Sequence, residues 1–230
     1  MHLRRTRAFI LATTIAALPA SPRLSAQSSS SSAKQTKKPT PAPDLDPGTV
    51  TNGVYRNKTL ALTCKIPEAW VLRTDEMNLQ EEEKPTDPAA GNDAASGAGA
   101  KVLLAAFSRP PAAKGEDVNS SILIAAESVA AYPGLKEAAQ YFGPLTEVAK
   151  AQGFTVDAEP YEIAIGTRTL VRSDSHKDVG SRVMWQSTLA MLAHGYAISI
   201  TLIGGTEDEV EELMDGLDFQ GPARASPSPK

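Results

Sequence analysis

A chain of 230 residues has room for one ordinary domain, and with 41% hydrophobic residues it can bury a core of its own. Its formal charge of −4, from 27 acids against 23 bases, argues against nucleic acid or an anionic membrane surface as the main partner, since both demand clustered Lys and Arg. Cys64 is the single cysteine, which excludes an intramolecular disulfide.

The first 26 residues combine Arg4, Arg5 and Arg7 with an apolar run over 8–20 and small residues at Ser25 and Ala26. This is the pattern of a secretory signal peptide cleaved after Ala26. The apolar run is shorter than the ~20 residues a spanning helix needs, so no stable membrane insertion is expected after cleavage. Cleavage would remove four arginines and no acids and so move the charge from −4 to −8. The expected location is secreted or periplasmic. Residues 27–48, rich in Ser, Pro and Lys, cannot bury enough apolar area to order themselves and read as a disordered linker.

A single α+β domain is expected over 49–220. Leu60, Leu62, Cys64 and Ile66 share one parity and predict a strand over 60–66, ending at Pro67, which lacks the N–H a ladder would use. The Pro67-Glu68-Ala69-Trp70 stretch then turns the chain, with Trp70 over the end of the core. Residues 79–100 carry Glu81, Glu82 and Glu83, two prolines and an Ala/Gly/Ser mixture, and read as a disordered insertion, with a lid over a ligand as the alternative. Strands follow over 101–107 and 121–127. Asn57-Lys58-Thr59 and Asn119-Ser120-Ser121 match the N-glycosylation pattern, which is short enough to arise by chance.

Apolar residues at Leu135, Ala139, Phe142, Leu145 and Ala149 predict a helix over 135–152, kinked or broken at Gly143-Pro144. Two strands around Gly166 lead into 174–181, read as a polar turn. Residues 182–203 form the clearest element, a β-hairpin turning at His194-Gly195, in which Tyr196, Ile198, Ile200 and Leu202 line one face. Thr206 and Glu209 then form a capping box, opening a helix whose stripe is Val210, Leu213, Met214 and Leu217. Residues 221–230 read as a disordered tail. The expected architecture is an antiparallel sheet of about six strands, including 60–66, packed by two helical segments.

Three places resemble the PsbP-like family of extrinsic photosystem II subunits, their bacterial secreted relatives and distant nuclear-import factors. They are Tyr55 with Leu60, Leu62 and the Pro67-to-Trp70 turn, the late hairpin ending Tyr196-Ala197-Ile198-Ser199-Ile200, and the terminal helix running into Leu217-Asp218-Phe219. The resemblance spans about residues 53–219 and implies an α/β/α sandwich that acts by binding rather than catalysis. An aromatic usual at position 60 is replaced by Leu60 and the acidic insertion is added, so no photosystem contact, metal site or functional residue carries over.

The chemistry-bearing residues are sparse. Asp174, His176 and Asp178 alternate and offer oxygen and nitrogen ligands to a divalent metal, although convergence cannot be read from spacing. No nucleophile elbow, no His-Glu-x-x-His helix and no Cys–His pair is present. No catalytic or cofactor-binding residue is assigned and no cofactor is expected. The expected function is a non-enzymatic secreted or periplasmic accessory module that binds an envelope or secreted protein or a small ligand. The alternatives are a secreted metal-assisted hydrolase using Asp174, His176 and Asp178, and a structural envelope protein without a specific ligand.

Overall fold

The computed structural model describes residues 45–83, 100–110, 113, 115 and 118–220. The predicted signal peptide, most of the linker, residues 84–99 of the insertion and the tail at 221–230 lie outside the described residues. The last linker residues lie inside, and they are part of the domain: Leu45 is buried in the core, and the Tyr55 hydroxyl donates to the Pro47 carbonyl at 3.0 Å. Gly48 sits at φ 78°, where a Cβ would fall 2.5 Å from the Tyr55 ring, so only glycine lets the chain pass this side chain.

Strands β1 (Thr49–Thr51), β2 (Val54–Asn57) and β3 (Leu62–Lys65) pair antiparallel in sequence order. The predicted strand over 60–66 is therefore present, but it belongs to a separate four-stranded sheet completed by the last of the described strands, over Leu217–Phe219. What removes it from the main sheet is the turn that follows. Ala69 takes a left-handed φ of 65° and Trp70 N–H reaches back to the Pro67 carbonyl, so the chain reverses into β4 (Val71–Leu72) on the edge of the other sheet.

Residues 79–83, assigned to the insertion by their charge, complete a helix, α1 (Thr74–Glu83). This helix has no apolar stripe that periodicity could reveal. It is attached by hydrogen bonds to β5 (Lys101–Phe107): Asn78 brackets Val102 through its amide at 2.9 and 3.0 Å, and the Thr74 hydroxyl accepts from Ala105 N–H at 3.0 Å. Because β4 covers only Ala106 and Phe107, α1 satisfies backbone groups that the short edge strand leaves open.

The main sheet continues with β6 (Ser121–Ser128), after which α2 (Ala138–Ala151) crosses one face. Then come β7 (Thr155–Val156), β8 (Tyr161–Ile165), β9 (Arg168–Val179), β10 (Arg182–Ala193) and β11 (Tyr196–Gly204), followed by α3 (Glu207–Asp215) and β12 (Leu217–Phe219). The order is β4-β5-β6-β11-β10-β9-β7, with β8 also on β9, every pair antiparallel: eight strands rather than about six and, among the described residues, three α-helices rather than two. Short edge strands such as β4 and β7 carry too few residues for an alternation to show.

The hairpin reading holds in face and register. His194 and Gly195 have φ 53° and 81°, the two left-handed residues of a tight hairpin turn, and Leu189 lies opposite Ile200. Ile198, Ile200 and Leu202 are buried in one cluster with Val210, Leu213 and Leu217 of the terminal helix and strand. The opposite face carries Ala190 and Ala197 under Tyr141 and Phe142 of α2. Helix α2 runs unbroken through Pro144. The carbonyl that Pro144 leaves without an amide belongs to Gln140, an exposed residue, so water can take it.

Thr206 caps α3 by accepting from Glu209 N–H at 3.1 Å, whereas the Glu209 carboxylate reaches Gly205 N–H at 2.7 Å instead of closing the box on Thr206. Both glycosylation matches are spoken for. Asn57 is 1% exposed, and Asn119 hydrogen-bonds Arg109 through both ends of its amide. Among the described residues, no helix is long and apolar enough to cross a membrane.

Candidate functional site

The segment read as a polar turn is the far half of β9. It stays extended because β10 pairs with it through Val179 and the reversal waits until Gly180, at φ 64°. Alternation then sorts its side chains. Val171, Ser173 and Ser175 face α2, while Arg172, Asp174 and His176 face the side on which α3 lies. Large charged residues alternating with small polar ones are the only strand signal this segment carries, and its low hydrophobicity concealed it.

On the α3 side these residues open onto a cavity of about 450 Å³. Its floor is Arg172 and Asp174 from β9 with Trp185 and Gln186 from β10, and Asp157 contributes from the loop after β7. The opposite wall is the first half of α3, with Glu207, Asp208, Val210 and Glu211. Five carboxylates therefore surround one guanidinium and one indole.

The single cation is fully engaged. Arg172 Nε donates to both Asp174 oxygens at 2.8 and 2.9 Å, and Nη2 donates to Glu211 across the cavity, joining β9 to α3. Burial alone would lower the Arg172 pKa, but its hydrogen bonds to Glu211 and Asp174 outweigh burial and raise it, so the charge is permanent. Tyr161 on β8 donates to the second Asp174 oxygen at 2.9 Å, and its own pKa is raised by burial and then by that carboxylate. His176 pairs through Nδ1 with Asp157 at 2.5 Å, and its ring centroid lies 5.2 Å from that of Trp185, directly opposite on β10.

The three residues proposed from spacing therefore part company. Asp174 and His176 share one face at adjacent inward positions, but each is committed to a different partner, and Asp178 is exposed near the end of β9. Among the described residues, no three His, Cys, Asp or Glu side chains gather to hold a metal ion. Arg172, Tyr161, Asp157 and Trp185 were not singled out from the sequence as members of a site, because the site draws them together from three strands and a loop.

Cys64 lies far from such chemistry. It is fully buried, and burial pushes its thiol pKa up to about 12, which makes it an inert core residue.

No family model matches the chain, and no curated protein matches it. Solved structures similar to it include a protein of unknown function from Pseudomonas aeruginosa, at 17% identity and TM-score 0.34, covering 50% of this chain and 80% of that one. A second is LpqN of Mycobacterium tuberculosis, described as involved in cell envelope biogenesis, at 14% identity and TM-score 0.32, covering 74% and 80%. A third, from Bacteroides thetaiotaomicron, has 12% identity and TM-score 0.36, covering 77% of this chain and 52% of its own.

Proposed function

We propose that this chain is a secreted or periplasmic binding module, without catalytic activity, that takes a small organic cation in the cavity between β9, β10 and α3. The observation that carries the reading is the charge balance of that cavity. Its only guanidinium is neutralised by Asp174 and Glu211, and Asp157 is held by His176, which leaves Glu207 and Asp208 in excess beside the Trp185 indole. A cation gains from carboxylates at the rim and from the face of an aromatic ring in a partly water-excluded space. The volume suits a small molecule, within the ~300–1,000 Å³ usual for such sites. The N-terminal pattern of basic, apolar and small residues supports export. The layering, with α2 on one face of the main sheet and α3 with the four-stranded sheet on the other, supports an α/β/α sandwich and the PsbP-like resemblance.

The alternative, a metal-assisted hydrolase on Asp174, His176 and Asp178, is less favoured because Asp174 is bound by Arg172 and His176 by Asp157, and no nucleophile is hydrogen-bonded to His176 among the described residues. Titration of the full chain with spermidine, arginine and choline, against citrate and sucrose, separates the readings. With Trp70→Phe in place, Trp185 is the only indole and reports the cavity by its fluorescence. Saturable quenching by the cations alone is expected, weakened about tenfold by Asp208→Asn with Glu207→Gln, on the scale of ~1.4 kcal/mol per decade. No response to any cation, together with turnover in an esterase and phosphatase screen that His176→Ala abolishes, would overturn the proposal.

A further inference from the structure

Trp70, the chain's other indole, lies on the far flank of α3 and forms the shared wall of two grooves. One, of about 590 Å³, runs toward the hairpin of β1 and β2 and toward β4, past Val54 and Ile66. Its rim exposes Val50 at 38% and Leu72 at 45%, two of the few large apolar side chains left in water among the described residues. The other, of about 490 Å³, runs along α3 past Leu213 to Glu212 and Asp215. Strands β1 and β4 both end their sheets here, each pairing on one side only.

Two further features set this surface apart from ordinary solvated protein. Ala69 holds a left-handed φ of 65° where glycine would be unstrained, and this turn is what presents Trp70 to both grooves. Glu212 and Asp215 sit in the last turn of α3, where the helix dipole opposes negative charge, and no basic residue occupies that turn. Neither carboxylate has an ion-pair partner among the described residues. Lys65 is the one cation lining the grooves, against Glu68, Glu212 and Asp215, while Glu209 is occupied by Ser120 and Gly205.

We propose that the Trp70 grooves dock an extended segment of a partner protein, in which an apolar side chain packs on Trp70 and a neighbouring Lys or Arg meets Glu212 and Asp215. Charge complementarity selects this occupant: an acidic segment would meet three carboxylates, and a purely apolar one would leave Glu212 and Asp215 facing their own helix dipole. The open edges of β1 and β4 favour an extended backbone over a helix.

The test uses the full chain and two capped hexapeptides, one alternating lysine with valine and one alternating glutamate with valine. The indole N–H of Trp70 in the unaltered protein, and Trp70 fluorescence in a Trp185→Phe background, report the site independently of the cavity on the other side of α3. A saturable response to the lysine peptide is expected, with Kd raised about tenfold in Glu212→Gln/Asp215→Asn, equivalent to ~1.4 kcal/mol. An equal response to the glutamate peptide, or an unchanged Kd in the double variant, would refute the assignment. So would a Trp70 signal that moves with protein concentration alone, since that marks a second copy as the occupant.

Discussion

At the scale of single residues, the two faces of β11 make the sharpest contrast. Ile200 is fully buried between Leu189 and α3, and Thr201, one position on, is half-buried, with its hydroxyl 3.4 Å from that of Thr188. Truncating Ile200 to Ala removes apolar contacts and leaves a void, at a cost of ~2–5 kcal/mol, whereas Thr201→Ala gives up a long hydrogen bond worth about 1 kcal/mol or less. Urea unfolding of the two variants measures the difference directly, and equal losses would put the wrong face in the core. This contrast was readable from alternation alone. Asp174 was not readable in the same way: its identity and parity were plain, but its hydrogen bond from Tyr161 depends on how β8 pairs with β9.

Among the elements, α2 tests how far tertiary packing overrides a local rule. Pro144 costs a helix interior ~3 kcal/mol, yet the helix continues because Tyr141, Phe142 and Leu145 are anchored on Val171, Ala190 and Ala197. Pro144→Ala should restore one amide donor and stabilise the protein by about 2 kcal/mol, once the greater freedom of the unfolded chain is subtracted. Thermal and urea unfolding would show it as a gain in both measures; a loss would mean that the proline ring itself fills part of the α2 interface. The elements missed from the sequence share one cause. Helix α1 and the far half of β9 are held mainly by hydrogen bonds from neighbours and carry little apolar periodicity to betray them.

For the whole molecule, the buried acidic groups with no compensating cation govern behaviour at high pH. Burial raises Cys64 and Tyr55 each to about 12, and burial together with the Glu127 carboxylate raises Tyr132 and Tyr141. A group whose pKa rises on folding keeps its proton in the native state while the unfolded chain loses it. Stability is therefore whole below the ordinary thiol value and falls as pH climbs from about 9 toward about 12, at about 1.4 kcal/mol per pH unit for Cys64, with the tyrosines joining above about 10. Unfolding free energies of wild type and Cys64→Ala under reducing conditions should diverge in slope between about pH 9 and 10; parallel slopes would remove Cys64 from the account.

The sequence by itself determined the hairpin, the capped terminal helix, the parity of their core faces and the antiparallel α+β class, because each follows from periodicity within one segment. Only the tertiary structure decided that residues 60–66 leave the main sheet, since one strained turn at Ala69 redirects the chain. It also decided that a strand, a loop and an acidic helix enclose a cavity around Trp185, because such a site is a coincidence of segments distant along the chain, and spacing records nothing about which strands become neighbours.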